Sequence, residues 1–131
     1  MRVHLAAAAL LAAGLLTVSC GGISSPSQNQ TETFSGTLDP GTVRTHSFSV
    51  NNTGEFSVKI TQLSPTVTTV VGVRWYLGGG CDLLLQQNNF AQLNQPALVG
   101  AVTQKGSYCV AIYDIGAFTV AQSYTLTVSH P

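Results

Sequence analysis

SYTLTVS, residues 123–129, places Tyr124, Leu126 and Val128 at every second position and fills the positions between them with Ser and Thr. Successive side chains of a strand point to opposite faces, so this spacing packs one face and wets the other. On a helix, Leu126 would point away from Tyr124 and Val128. The same alternation recurs upstream. In EFSVKIT, residues 55–61, Phe56, Val58 and Ile60 oppose Glu55, Ser57, Lys59 and Thr61. In SYCVAIYD, residues 107–114, Tyr108, Val110 and Ile112 form an inward row and leave Cys109, Ala111 and Tyr113 on the other face. Phe48 and Val50 are in phase with His46.

Extended along the chain, this pattern predicts strands at 31–38, 44–50, 55–63, 69–77, 82–87, 97–103, 107–114 and 123–129. The breaks between them have physical causes. Asp39-Pro40-Gly41 sets a turn, Asn51-Asn52-Thr53-Gly54 tolerates positive φ, Ser64-Pro65 stops a strand, Gln104-Lys105-Gly106 closes a hairpin, and Gly78-Gly79-Gly80 forms a loop. Helical periodicity is absent from this region. The expected fold class is therefore all-β: an antiparallel β-sandwich of about eight strands over residues 31–131, in a chain whose length allows one domain.

Charged residues make up 8 % of the chain and the formal net charge is zero, against roughly 25 % charged residues in an average soluble protein. Electrostatics therefore favours neither nucleic acid nor acidic lipid as a partner. Polarity comes instead from Ser, Thr, Asn and Gln, which with Val, Tyr and Gly suit β structure outside the cell.

The first residues read differently. Met1-Arg2-Val3-His4 gives a short basic start, and LAAAALLAAGLL, residues 5–16, runs twelve residues without a polar side chain. That is the anatomy of a signal peptide, residues 1–19, expected to form a helix that is cleaved. Twelve residues make about 18 Å of helix, short of a bilayer's hydrocarbon core of roughly 30 Å. A permanent transmembrane helix and a buried core helix are the weaker alternatives. Leu16-Thr17-Val18-Ser19-Cys20 resembles the lipobox of bacterial lipoproteins, with Thr17 where Leu is commonest. The resemblance implies acylation at Cys20, which becomes the new N-terminus and a membrane anchor at the bacterial cell envelope. The alternative is ordinary cleavage near Ser19, leaving Cys20 free or bonded between molecules. GGISSPSQNQ, residues 21–30, has almost no apolar content and reads as a tether.

With Cys20 assigned to lipid, Cys81 and Cys109 remain. In an exported protein such a pair reads as a disulfide. A metal site is the rival, but the mature histidines, His46 and His130, are scattered and supply no ligand set.

FSGTLDPGTVRTHSFSV (34–50), GEFSVKITQLSP (54–65), GSYCVAIYDIG (106–116) and SYTLTV (123–128) together are similar to the bacterial pre-peptidase C-terminal domain. The resemblance covers most of residues 31–131 in order and implies a jelly-roll-like sandwich that commonly accompanies secreted peptidases. Where that family carries an acidic D-x-D-L-x-L stretch, this chain has VGVRWYLGGGCDLLL, with Asp82 alone.

Chemistry is sparse. The ionisable residues fall singly on different strands and turns, and pleating sends Ser47 and Ser49 away from His46. No phosphate-binding loop, metal motif or paired carboxylate spacing occurs. Asp39, Asp82 and Asp114 lie near loops but do not form the oxygen cluster that calcium wants. No catalytic residue, metal or cofactor is therefore expected. Trp75 and Tyr76, adjacent on one strand, must point to opposite sides, and with Tyr113 they are the candidate ligand-binding residues. The expectation is a noncatalytic, envelope-anchored binding module for a polysaccharide or another envelope protein. An accessory to secretion, folding or stability of a separate exported protein is the alternative; a hydrolase is the least favoured.

Overall fold

A computed structural model describes residues 28–131. The expected signal peptide (1–19), Cys20 and most of the tether lie outside the described residues. Eight strands follow: β1 (Gln30–Leu38), β2 (Val43–Val50), β3 (Gly54–Ser64), β4 (Val71–Leu77), β5 (Leu83–Ala91), β6 (Pro96–Val102), β7 (Gly106–Tyr113) and β8 (Gln122–His130). They form two four-stranded sheets, β1-β8-β3-β6 and β2-β7-β4-β5. Every pairing within them is antiparallel. Consecutive strands change sheet at each connection except β4–β5, which gives the order of a jelly roll.

The alternation seen in the sequence fills the space between the sheets. Tyr124, Leu126 and Val128 of β8 are buried against Val110 and Ile112 of β7, with Val58 and Ile60 alongside. Trp75 lies in the middle of this core, its ring stacked 4.0 Å from Phe56 and flanked by Phe48 and Tyr108. Tyr108 is also buried, and its hydroxyl donates to the Gln104 carbonyl at 2.8 Å, so its polar tip is satisfied.

The strand ends agree with the sequence to within a residue or two except at β5, which runs on to Ala91. Asn88 and Asn89, residues with turn propensity, remain in the strand because their amides have partners: Asn88 Nδ2 donates to the Ala97 carbonyl at 2.8 Å, and Asn89 Oδ1 accepts from the Tyr113 hydroxyl. Tertiary contacts here override local preference.

The registers sort the connections between two ends of the sandwich. Pairing of Val50 with Gly106, Leu77 with Leu83 and Gln30 with His130 gathers the chain entry, the C-terminal strand end and the links 51–53, 78–82 and 103–105 at one end. Links 39–42, 65–70, 92–95 and 114–121 lie at the other.

Candidate functional site

The outer face of the β2-β7-β4-β5 sheet holds most of the chemistry that the sequence set apart. In β4, Val71, Val73 and Trp75 point inward, which leaves Gly72, Arg74 and Tyr76 as an outward row. Trp75 is only 1 % exposed, so one of the three candidate ligand residues is withdrawn from the surface: it fills the centre of the core, where its indole has the largest apolar area to bury. Tyr76 and Tyr113 both stay partly exposed on the outer face.

Tyr113 pairs with Gly72 across β7 and β4, and its ring lies directly over that glycine. A Cβ at position 72 would come within 2.1 Å of the ring, so the flat seat exists only because the residue is Gly. Arg74 reaches over the same ring with its guanidinium carbon 4.2 Å from the centroid, a cation–π contact. Its Nε donates to Gln87 Oε1 at 3.0 Å. Burial works against the Arg74 charge, but the hydroxyls of Tyr76 and Tyr113 outweigh it and hold the guanidinium charged. Tyr113, Arg74, Tyr76, Gln87 and Asn89, drawn from three strands, thus form one connected surface.

The disulfide expected between Cys81 and Cys109 is present and borders this face, with Cys109 paired to Tyr76 in the register. Cys109 and Ala111 are fully buried although they belong to the outward row of β7. The reason is their position on an inner strand: the cystine lies over one and the Arg74–Tyr113 contact lies beside the other. Ser47 also meets the glycine loop here, its Oγ donating to the Gly79 carbonyl.

The two histidines occupy structural contacts. His46 is stacked on Phe34 at 4.8 Å and its Nε2 is 2.7 Å from the Tyr124 hydroxyl, while burial pushes its pKa down. His130, 1 % exposed, lies 3.1 Å from Glu32 and stacks on Phe48. Ser47 faces the opposite side of its strand from His46, as pleating requires. Asp39 pairs with Arg44 at 3.0 Å, and Asp114 is consumed by backbone N–H groups. Among the described residues no group of three or more His, Cys, Asp or Glu side chains could hold a metal ion.

An open depression of about 690 Å³ lies on the other sheet, between Asn29, Glu55, Ser57 and the Val99–Ala101 segment of β6. Phe56 reaches it past Gly100, where a Cβ would lie 2.8 Å from the ring.

Among known proteins, no family model matches the chain and no curated protein matches it.

The meeting of Arg74 with Tyr113 was not visible in the sequence, because the two residues lie on different strands. One signal was available: once Val71, Val73 and Trp75 are assigned inward, Gly72, Arg74 and Tyr76 must face out together.

Proposed function

We propose that the chain is a noncatalytic binding module, acylated at Cys20 and held at the bacterial cell envelope, whose ligand is a polysaccharide laid across the outer face of β4 and β7. The observation that carries this reading is the connected Tyr76–Arg74–Tyr113 surface with the Gln87 and Asn89 amides at its margin. A sugar presents apolar C–H faces and many hydroxyls. Half-buried aromatic rings take the first, and guanidinium and amide groups take the second. Because these side chains sit on a sheet and hold one another in place, little ordering remains to be done on binding. The engagement of both histidines in packing contacts supports the noncatalytic part. The likeness to the pre-peptidase C-terminal domain supports an exported module.

Two measurements test it. The wild-type domain should bind envelope or extracellular polysaccharide on a glycan array, with Tyr76→Ala and Arg74→Ala each weakening binding about tenfold; equal binding by both variants would refute the site. Cys20→Ala should move the protein from the membrane to the soluble fraction, and unchanged fractionation would refute the anchor. The accessory reading calls on an exposed apolar surface. The leucine run of β5 is such a surface, but it sits at the end where the chain enters from Cys20, so a bilayer is its nearest apolar partner.

A further inference from the structure

We propose that the chain-entry end of the sandwich is a membrane-contact surface, with Leu83, Leu84 and Leu85 as its apolar tip and a phospholipid bilayer as the partner; this rests on the reading of Cys20 as the lipid acceptor. The three leucines are 56, 47 and 51 % exposed, and Val99 on the adjoining β6 is 58 % exposed. Three consecutive strand residues are exposed together because β5 is a sheet edge and the register slips between Trp75 and Tyr76, opposite this run.

The patch is rigid. Gln86 Nε2 donates to the Val99 carbonyl at 3.2 Å and Asn88 Nδ2 to the Ala97 carbonyl at 2.8 Å, so two side chains of β5 clamp the edge of β6. The same amides occupy carbonyls that an added protein strand would need, which argues against pairing with a foreign strand at this corner.

Position selects lipid. Asn29 Nδ2 donates to the Glu55 carbonyl at 3.1 Å, and Asn29 shares a depression with Val99, Gly100 and Ala101. The chain therefore enters the domain at the same end as the start of β5, across this depression from Val99. Asn29 lies nine positions after Cys20, at most about 32 Å of chain, so an acylated Cys20 keeps this end within reach of the bilayer. Charge at this end is mixed, with Glu55 lining the depression beside Asn29. Lys105 lies in the link 103–105 at this end, where it can meet phosphate headgroups, and the Asp82 carboxylate is folded back over Gly78 and Gly80. Apolar side chains entering the interface then add to the anchor as further buried area.

Full-length protein purified with its processed N-terminus and reconstituted in phosphatidylethanolamine–phosphatidylglycerol vesicles containing brominated phosphatidylcholine tests this. The native Trp75 is 1 % exposed and supplies a constant background. Leu84→Trp and, separately, Leu85→Trp should be quenched by the brominated chains roughly threefold or more beyond Val67→Trp, an exposed position in the link 65–70 at the far end. Mass spectrometry of the same samples reads the lipid on Cys20. Acylated protein whose Leu84→Trp and Leu85→Trp indoles are quenched no more than that of Val67→Trp overturns the membrane contact alone. An unacylated Cys20 overturns the anchor and this inference with it. Shielding of the Leu84→Trp indole only after addition of an envelope protein fraction, without lipid quenching, also overturns it.

Discussion

Replacing Asp114 with Ala removes a carboxylate that ties together two links at the far end of the sandwich. Its Oδ1 accepts backbone N–H groups from Gly116, Ala117 and Phe118 at 2.9, 2.8 and 3.2 Å, and its Oδ2 accepts that of Gly41 at 2.8 Å. Without it, the β7–β8 link loses its internal cap and the β1–β2 turn keeps only the bond from the residue-114 N–H to the Thr42 carbonyl, 3.1 Å. A hydrogen bond to a charged group nets about 1.5–3 kcal/mol. The site is only partly buried and water replaces some of what is lost, so the four together should contribute about 2–3 kcal/mol. For a domain of this size that is a fall of roughly 10–20 °C in Tm.

The pH dependence follows with a definite sign. Burial raises the Asp114 pKa, but the four N–H donors outweigh it and hold the folded value below the ordinary 3.8. A carboxylate with a depressed folded pKa stabilises fully above its unfolded pKa, and that contribution fades as the pH falls through the lower folded value. Urea denaturation of wild type and Asp114→Ala should therefore show the full gap at neutral pH, narrowing below about pH 3.8. Asp114→Asn should fall between them, since it keeps an oxygen for the 116–118 amides but presents an N–H to Gly41. A neutral-pH gap under about 0.5 kcal/mol, or one that widens on acidification, would refute the reasoning.

Three further outcomes are expected. With a sequence separation of 28, loss of the Cys81–Cys109 bond should lower stability by roughly 3–4 kcal/mol; a urea midpoint unmoved by reductant would contradict this, as would thiol labelling of either residue in the nonreduced protein. Gly72→Ala places a Cβ against the Tyr113 ring and should cost about 1–3 kcal/mol. It should also shift the Tyr113 ring resonances, and unchanged resonances at parental stability would sink the account of the seat. Burial lowers the His46 pKa below 6.5, so the unfolded chain takes up the proton first, and stability is full above that pH and declines as it falls. His46→Phe should flatten this slope, while an NMR titration placing the imidazole at or above 6.5 would contradict it.

What was legible in the sequence was legible through period. Phe56, Val58 and Ile60, or Tyr124, Leu126 and Val128, state their facing without reference to the rest of the molecule, because the pleat is a property of one strand. The Cys81–Cys109 pair was legible for another reason, since the expectation of export and of a lipid on Cys20 left two thiols to pair. Less was legible where residues answer to neighbours on other strands. Asn88 and Asn89 prolong β5 because partners from β6 and β7 hold them. Cys109 and Ala111 are buried on an outward row because inner strands carry neighbours on both sides.

For this protein the sequence by itself determined the eight strands, their apolar faces and the presence of a two-layer β core, since each depends on contacts one or two residues apart. Only the tertiary structure decided that Trp75 would be withdrawn into the core, and that Tyr113 would lie over Gly72 beneath Arg74. It alone brought Leu83, Leu84 and Leu85 to the end where the chain enters. Those outcomes depend on which strands become neighbours and in what register, and a bulge or a missing Cβ on one strand becomes meaningful only against the strand beside it.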